Sequence, residues 1–146
     1  MKKIILTASL IACLCIGSYA QKLSFCEGID PQGRPISPVP FNTSHNAYFF
    51  DICPGGKDIV MYLVLPKPVN STFLRFEFFI CGMNRALQET LEHNWSYTLL
   101  TDPASKIIWS EYIPITSTEY FKIFVYDDRN NLITTSYLKP RISFCN

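Results

Sequence analysis

Turn-forming residues interrupt this chain at intervals of roughly ten residues and limit it to short structural elements. Aromatic and β-branched residues dominate between the interruptions, which is typical of β-strands. One segment shows the pattern best, because Leu74, Phe76 and Phe78 alternate with charged residues. The pattern predicts an all-β antiparallel sandwich of about seven strands. These strands are predicted at residues 45–53, 59–65, 72–81, 95–101, 106–113, 119–126 and 132–138.

Residues 83–93 are the one segment that suits a helix instead. Met83, Leu87 and Leu91 recur every four residues, and good helix formers lie between them. The segment is short, so we expect a connecting turn or two of helix rather than a second layer of structure.

The first twenty residues have the composition of a secretory signal peptide. Lys2 and Lys3 precede an apolar run over 4–16, and a small-x-small site ends at Ala20. We therefore predict cleavage after Ala20 and a secreted or periplasmic location. Two alternatives remain: lipidation of Cys13, which would anchor the protein to a membrane, and an uncleaved anchor.

The rest of the chain divides into a proline-rich arm at 21–44 and a sandwich domain at 45–146. The chain carries 13 Lys and Arg and 12 Asp and Glu; the leader holds two of the lysines and no acid, which leaves 11 against 12. This near-neutral balance, without a basic run, argues against nucleic acid as a partner. It also gives no reason to expect attraction to a membrane unless Cys13 is lipidated.

Four cysteines follow the leader, and an even number in an exported chain predicts two disulfides with three alternative pairings. If the segments 59–65 and 72–81 form a hairpin, Cys81 lies beside the turn that follows Cys53. We therefore expect a Cys53–Cys81 bond, and a Cys26–Cys145 bond that ties the arm to the last strand. The spacings match no zinc signature.

No constellation of residues in the sequence predicts catalysis. The two histidines, His45 and His93, occur in separate segments, and no serine has the framing of a hydrolase nucleophile. The acidic and amide residues of 127–131 could hold calcium, but the same residues favour a plain β-turn. We predict a protein that is not an enzyme and has no catalytic residue, metal site or cofactor.

The last third of the chain resembles the immunoglobulin-like or fibronectin-type sandwiches of secreted bacterial proteins. The resemblance is carried by residues 119–127 (EYFKIFVYD) and by 132–137 (LITTSY). It covers about twenty residues and lacks the Cys-Trp-Cys arrangement of antibody domains. It implies a sandwich fold and, by itself, no particular function.

Aromatic side chains give the best indication of a function. Tyr120, Phe124 and Tyr126 share the face of their strand that is turned away from the core, and Trp109 is expected to join them. An exposed apolar stripe marks a partner or ligand surface, unless the arm or the 83–94 segment covers it. We predict a non-catalytic protein-interaction module that binds through these four residues. The alternatives are a carbohydrate- or ligand-binding module that uses the same rings, and an enzyme inhibitor that presents the turn at 54–57.

Overall fold

The computed structural model describes residues 21–145 as an open sandwich of two β-sheets. The predicted signal peptide at 1–20, with Cys13, lies outside the described residues, as does the last residue of the chain. No helix in the described part is long and apolar enough to cross a membrane. The predicted all-β sandwich fold is confirmed.

Eleven strands form the two sheets over residues 21–145. The five-stranded sheet contains β1 (Lys22–Ile29), β2 (Pro35–Pro38), β5 (Lys57–Val64), β8 (Ile107–Trp109) and β9 (Ile113–Ile115). The six-stranded sheet contains β3 (Phe41–Asn42), β4 (Ala47–Ile52), β6 (Phe73–Met83), β7 (Glu89–Leu100), β10 (Phe121–Tyr126) and β11 (Leu132–Ile142).

The strand order is β2-β1-β5-β8 in the first sheet, with β9 paired to the start of β5, and β3-β4-β11-β10-β6-β7 in the second. All pairs are antiparallel except β4 and β11, which run parallel. The β10–β11 hairpin closes through a turn in which the Asp127 carboxylate accepts hydrogen bonds from the backbone N–H groups of Arg129 and Asn131. Residues 127–131 therefore form the polar turn that their composition favours.

The core lies between the two sheets and is filled by alternate residues of each strand. Phe76 and Phe78 of β6 are about 1% exposed, and Ile123 and Val125 of β10 are fully buried. The Phe78 ring stacks on Trp95 with a centroid separation of 4.3 Å. Burial of such large apolar side chains stabilises the fold by about 1.5–3 kcal/mol each.

The predicted helix at 83–93 is not present. Residues 84–88 form a tight turn in which the Asn84 side-chain oxygen accepts hydrogen bonds from the N–H groups of Ala86 and Gln88, each at 2.9 Å. β7 begins at Glu89 and pairs with β6 from Met83 onward. Asparagine competes with helix by bonding to nearby backbone groups, and here it closes a β-hairpin instead.

The predicted arm is part of the sandwich. β1 occupies the middle of the five-stranded sheet, with β2 on one side and β5 on the other. Its Phe25 side chain is about 1% exposed and packs edge-on against Tyr48 of the opposite sheet at 5.1 Å. The prolines limit the strands between residues 35 and 42 to two to four residues each. The predicted arm at 21–44 nevertheless contributes Phe25 to the core.

The disulfide joins Cys53 to Cys145, so the predicted Cys53–Cys81 and Cys26–Cys145 pairs are wrong. The prediction assumed that β5 and β6 form a hairpin, but they belong to different sheets. The parallel register of β4 and β11 sets Ile52 beside Ile142 and brings the two bonded cysteines within 5.6 Å between Cα atoms. Cys26 and Cys81 are free thiols, and burial raises the pKa of both.

Candidate functional site

Tyr120, Phe124 and Tyr126 lie on the outer face of the six-stranded sheet. Their neighbours Phe121, Ile123 and Val125 point into the core, so the predicted alternation of residues 119–126 is correct for this strand. The three outer rings are half-buried rather than open.

Cationic side chains of β6, β10 and β11 lie over these rings. Lys139 of β11 lies over Tyr120 at 5.9 Å, and Arg75 of β6 lies over Tyr126 at 5.0 Å. Lys122 lies between Phe124 and Tyr137, at 5.4 and 5.1 Å from their centroids. Such contacts contribute about 0.5–1 kcal/mol each at exposed sites, and they hold the rings in place.

Glu89 links the tip of the β6–β7 hairpin to this face. Its carboxylate accepts hydrogen bonds from Lys122 at 2.8 Å and from the Tyr137 hydroxyl at 2.9 Å. The Lys122 ammonium lowers the pKa of Glu89, and the Glu89 carboxylate raises the pKa of Lys122. Both groups are therefore charged over the whole physiological pH range.

A second polar cluster contains Glu77, His93 and Ser96. Burial would raise the pKa of Glu77, but hydrogen bonds from Ser96 and His93 outweigh burial and lower it. The His93 Nε2 atom lies 2.7 Å from Glu77 Oε2 and 3.1 Å from the Ser96 hydroxyl. In a catalytic triad the acid and the serine contact opposite nitrogens of the histidine ring. Here a single nitrogen, His93 Nε2, contacts both the Glu77 carboxylate and the Ser96 hydroxyl. This geometry does not activate Ser96.

Trp109 lies on the opposite side of the molecule, on the outer face of the five-stranded sheet. Its ring runs parallel to Tyr62 at an interplanar angle of 13° and a centroid distance of 6.5 Å. The β1–β2 hairpin folds over this pair, since Tyr62 donates a hydrogen bond to the Gly33 carbonyl at 3.1 Å. A Cβ atom at Gly33 would lie 3.2 Å from the Trp109 ring. The four predicted binding residues therefore belong to two surfaces.

Exposed apolar side chains surround Trp109. Trp109 is 43% exposed and Tyr112 is 62% exposed, while Ile36, Val64 and Ile107 are 40–48% exposed. We call the surface formed by these five residues the tryptophan face. The sequence analysis did not predict this surface, because its residues belong to separate segments that become neighbours only in the folded sheet.

The members of the tryptophan face are adjacent in space. Val64 is the cross-strand partner of Ile107, which shares its side of β8 with Trp109. Trp109 and Tyr112 line one open cavity of about 560 Å³. A Cβ at Gly28 would contact both Tyr112 and Ile36, so these two side chains meet over Gly28.

The turn at 54–57, the predicted inhibitor loop, is only partly free of the body. Gly55 has open space around it, but a Cβ at Gly56 would lie 2.7 Å from the carbonyl oxygen of Ile115. Lys57 forms an ion pair with Glu27 of β1. The turn is therefore anchored to both neighbouring strands and offers Pro54 and Gly55 alone to a partner.

Residues 21–145 contain no group of three His, Cys, Asp or Glu side chains placed to hold a metal ion. The carboxylate of Asp128 accepts hydrogen bonds from the Thr72 backbone and hydroxyl, and Asp127 closes its own turn. The oxygens considered for calcium thus serve the β10–β11 turn and its contact with the start of β6.

A comparison of the sequence with profiles of known protein families finds no match, and a comparison with curated proteins finds none either.

Proposed function

We propose that the protein is an exported, non-catalytic interaction module of immunoglobulin-like architecture, which binds a protein partner through the tryptophan face. The observation that carries the proposal is the contiguity of five large apolar side chains that are each 40% exposed or more. Contiguous exposed apolar surface costs solubility in a monomer, and it characterises surfaces that a partner covers.

The composition of the tryptophan face supports a protein partner. Tryptophan and tyrosine are enriched among the residues that dominate binding energy at interfaces, and aliphatic residues exclude water around them. Here Trp109 and Tyr112 line one cavity, with Val64 and Ile107 beside Trp109 and with Ile36 beside Tyr112.

The rigidity of the central ring supports the same proposal. Trp109 packs along Tyr62 on one side and approaches Gly33 on another. A side chain held in one position loses little conformational entropy when a partner binds. The ring is thus pre-formed for binding rather than free to rotate.

Export is supported by two independent features. The leader has the charge and apolar pattern of a signal peptide. The Cys53–Cys145 disulfide is compatible with an oxidising compartment, where such bonds persist.

Site-specific photocrosslinking tests the proposal. The photoreactive residue p-benzoylphenylalanine would replace Tyr112 in one sample and Leu100 in another, in cells that export the protein. Leu100 is the matched control, because it is 83% exposed and apolar but lies on the β7 edge of the other sheet. We expect a discrete crosslinked protein from position 112 only, and Trp109→Ala should abolish it while leaving the unfolding midpoint within a few degrees. Equal crosslinking from both positions, or none from position 112, would refute the proposal.

A further inference from the structure

One end of the tryptophan face carries a cation. Lys22 of β1 is the cross-strand partner of Val64, and Val64 is in turn the partner of Ile107. Cross-strand partners point to the same side of a sheet, so the Lys22 side chain shares the outer face with these two aliphatic residues. Lys22 is exposed and forms no ion pair within residues 21–145.

The other end of the face carries two carboxylates. Asp58 lies six residues before Val64 on β5, and the two-residue alternation of the strand places both side chains on the outer face. Glu111 lies between β8 and β9 and lines the cavity that Trp109 and Tyr112 share. Both carboxylates are exposed, and neither has an ion-pair partner in the described part of the chain.

Two further pairs of charged residues near the face neutralise each other. Lys57 pairs with Glu27 beside Asp58, and Arg34 pairs with Asp30 in the β1–β2 turn at 2.8 Å. The lysine and the carboxylates described above keep their charges free. They lie roughly 20 Å apart, because a strand rises about 3.3 Å per residue.

We propose that the partner of the tryptophan face is a second copy of this chain. The two copies pack face to face about a two-fold axis that lies in the interface and crosses the strands. Such an axis reverses the strand direction, so Lys22 of each copy lies against Asp58 and Glu111 of the other. This inference rests on the proposed function, because it names the partner of the same surface.

The same axis also superimposes the apolar parts of the two faces. The midpoint between Asp58 and Val64 falls at Met61, next to Tyr62 and its cross-strand partner Trp109. An axis that passes there lays each tryptophan region over the other. An axis along the strands would instead bring like charges together, so the charges select one orientation.

Two properties favour a second copy over an unrelated protein. A two-fold interface needs a surface that is complementary to itself, since every contact occurs twice. Opposite charges at the two ends of one apolar surface meet this requirement. The 11 basic and 12 acidic residues that follow the leader nearly cancel, so two copies do not repel each other at long range.

Sedimentation velocity of the exported, oxidised protein tests the proposal. We expect a dimer with a dissociation constant of about 10 µM or lower, since interfaces of ordinary size bind in the micromolar range or tighter. Lys22→Glu, and separately the double substitution Asp58→Lys with Glu111→Lys, should each weaken dimerisation about tenfold, because like charges then meet at both ends of the interface. Arg85→Glu is the matched control, since it changes the charge as Lys22→Glu does but lies exposed in the β6–β7 turn.

A mixture of the two charge variants makes the test specific. A mixed dimer has opposite charges at both ends again, so the mixture should associate as tightly as the wild type, which also shows that both variants are folded. A wild type that stays monomeric at about 100 µM would overturn the proposal. So would a mixture that associates no more tightly than either variant alone, or an Arg85→Glu effect equal to that of Lys22→Glu.

The mass of the product crosslinked from position 112 separates this inference from the proposed function. A product of two copies supports both. A product that contains a different protein keeps the tryptophan face as a binding surface and overturns the second copy as its partner. No product from position 112 refutes the surface itself.

Discussion

The turn between β4 and β5 contains a matched pair of glycines that separates backbone strain from steric contact. Gly55 and Gly56 both have a φ of +100°, which side-chain-bearing residues adopt at a cost of about 1–3 kcal/mol. A Cβ at Gly55 would have no neighbour within 4 Å, whereas a Cβ at Gly56 would lie 2.7 Å from the Ile115 carbonyl oxygen and 2.9 Å from Thr116 Cγ2. The two alanine substitutions therefore share the backbone cost and differ in the contact.

The magnitude of the difference follows from what the new methyl group would displace. The nearest atom is backbone, and Ile115 is both buried and the register partner of Lys57 in the β5–β9 pair. It cannot rotate away, so β9 must shift, and overpacking of this kind costs about 1–3 kcal/mol. Gly55→Ala should lower the free energy of unfolding by about 1–3 kcal/mol, and Gly56→Ala by about 1–3 kcal/mol more than that.

Urea unfolding of the oxidised protein, followed by tryptophan fluorescence, measures both values. The slope of the free energy against urea should stay the same in both variants, because neither changes the surface exposed on unfolding. Hydrogen exchange should accelerate at the β5–β9 pairing in Gly56→Ala and not in Gly55→Ala. Equal losses of stability in the two variants would refute the placement of Gly56 against β9.

Three further changes test other parts of the structure. Cys53→Ser should lower the free energy of unfolding by about 4–5 kcal/mol on the chain-entropy model, since the bond closes a 92-residue separation; a urea midpoint equal to that of the wild type would contradict this bond. Ser110→Ala should cost about 1–3 kcal/mol and speed exchange of the Met61 amide, because the buried Ser110 hydroxyl accepts the Met61 N–H at 2.9 Å; unchanged exchange would argue against that contact. Glu89→Gln should cost about 0.5–1 kcal/mol in urea titrations near neutral pH, since its pair with Lys122 is partly exposed. The lowered pKa of Glu89 gives stability that is present above its ordinary value of 4.5 and lost as pH falls through the folded value, so the gap between variant and wild type should close as the pH falls below 4.5, and a gap of unchanged size in acid would contradict the charge argument.

Local periodicity was enough to predict the strands whose two faces differ. In β10, and in β6 from Leu74 to Phe78, the apolar alternate residues are buried and the intervening ones are not, as the two-residue repeat requires. The repeat is a property of one strand, so it can be derived without knowing its neighbours.

The same reasoning failed for residues 83–93, where a four-residue repeat predicted a helix. Met83, Leu87 and Leu91 are 70%, 79% and 41% exposed, so the repeat does not mark a buried face. The decisive features were the Asn84 side chain, which closes a turn, and the partner strand β6, which extends past the sheet to pair with β7. A helix of this length has too little intrinsic stability to compete with such pairing.

Non-local pairing also explains the error in the disulfides. β5 and β6 follow each other in sequence and read as a hairpin, but the chain crosses between the sheets at 65–72. Cys145 instead reaches Cys53 because β11 returns parallel to β4, more than ninety residues later. Sequence spacing contains no signal for that choice, since parallel and antiparallel neighbours present the same alternation.

The contrast between the two outer faces shows why exposure depends on register rather than on residue type. Tyr120, Phe124 and Tyr126 are aromatic and face outward, yet β6 and β11 bring Arg75 and Lys139 over two of these rings. Trp109 also faces outward, but the exposed side chains beside it are mainly apolar: Val64 of β5, Ile107 of its own strand and the ring of Tyr112. The first face is therefore covered by its own charged side chains. The second face has no such cover within the described chain, and an apolar surface of this kind is most stable against another protein.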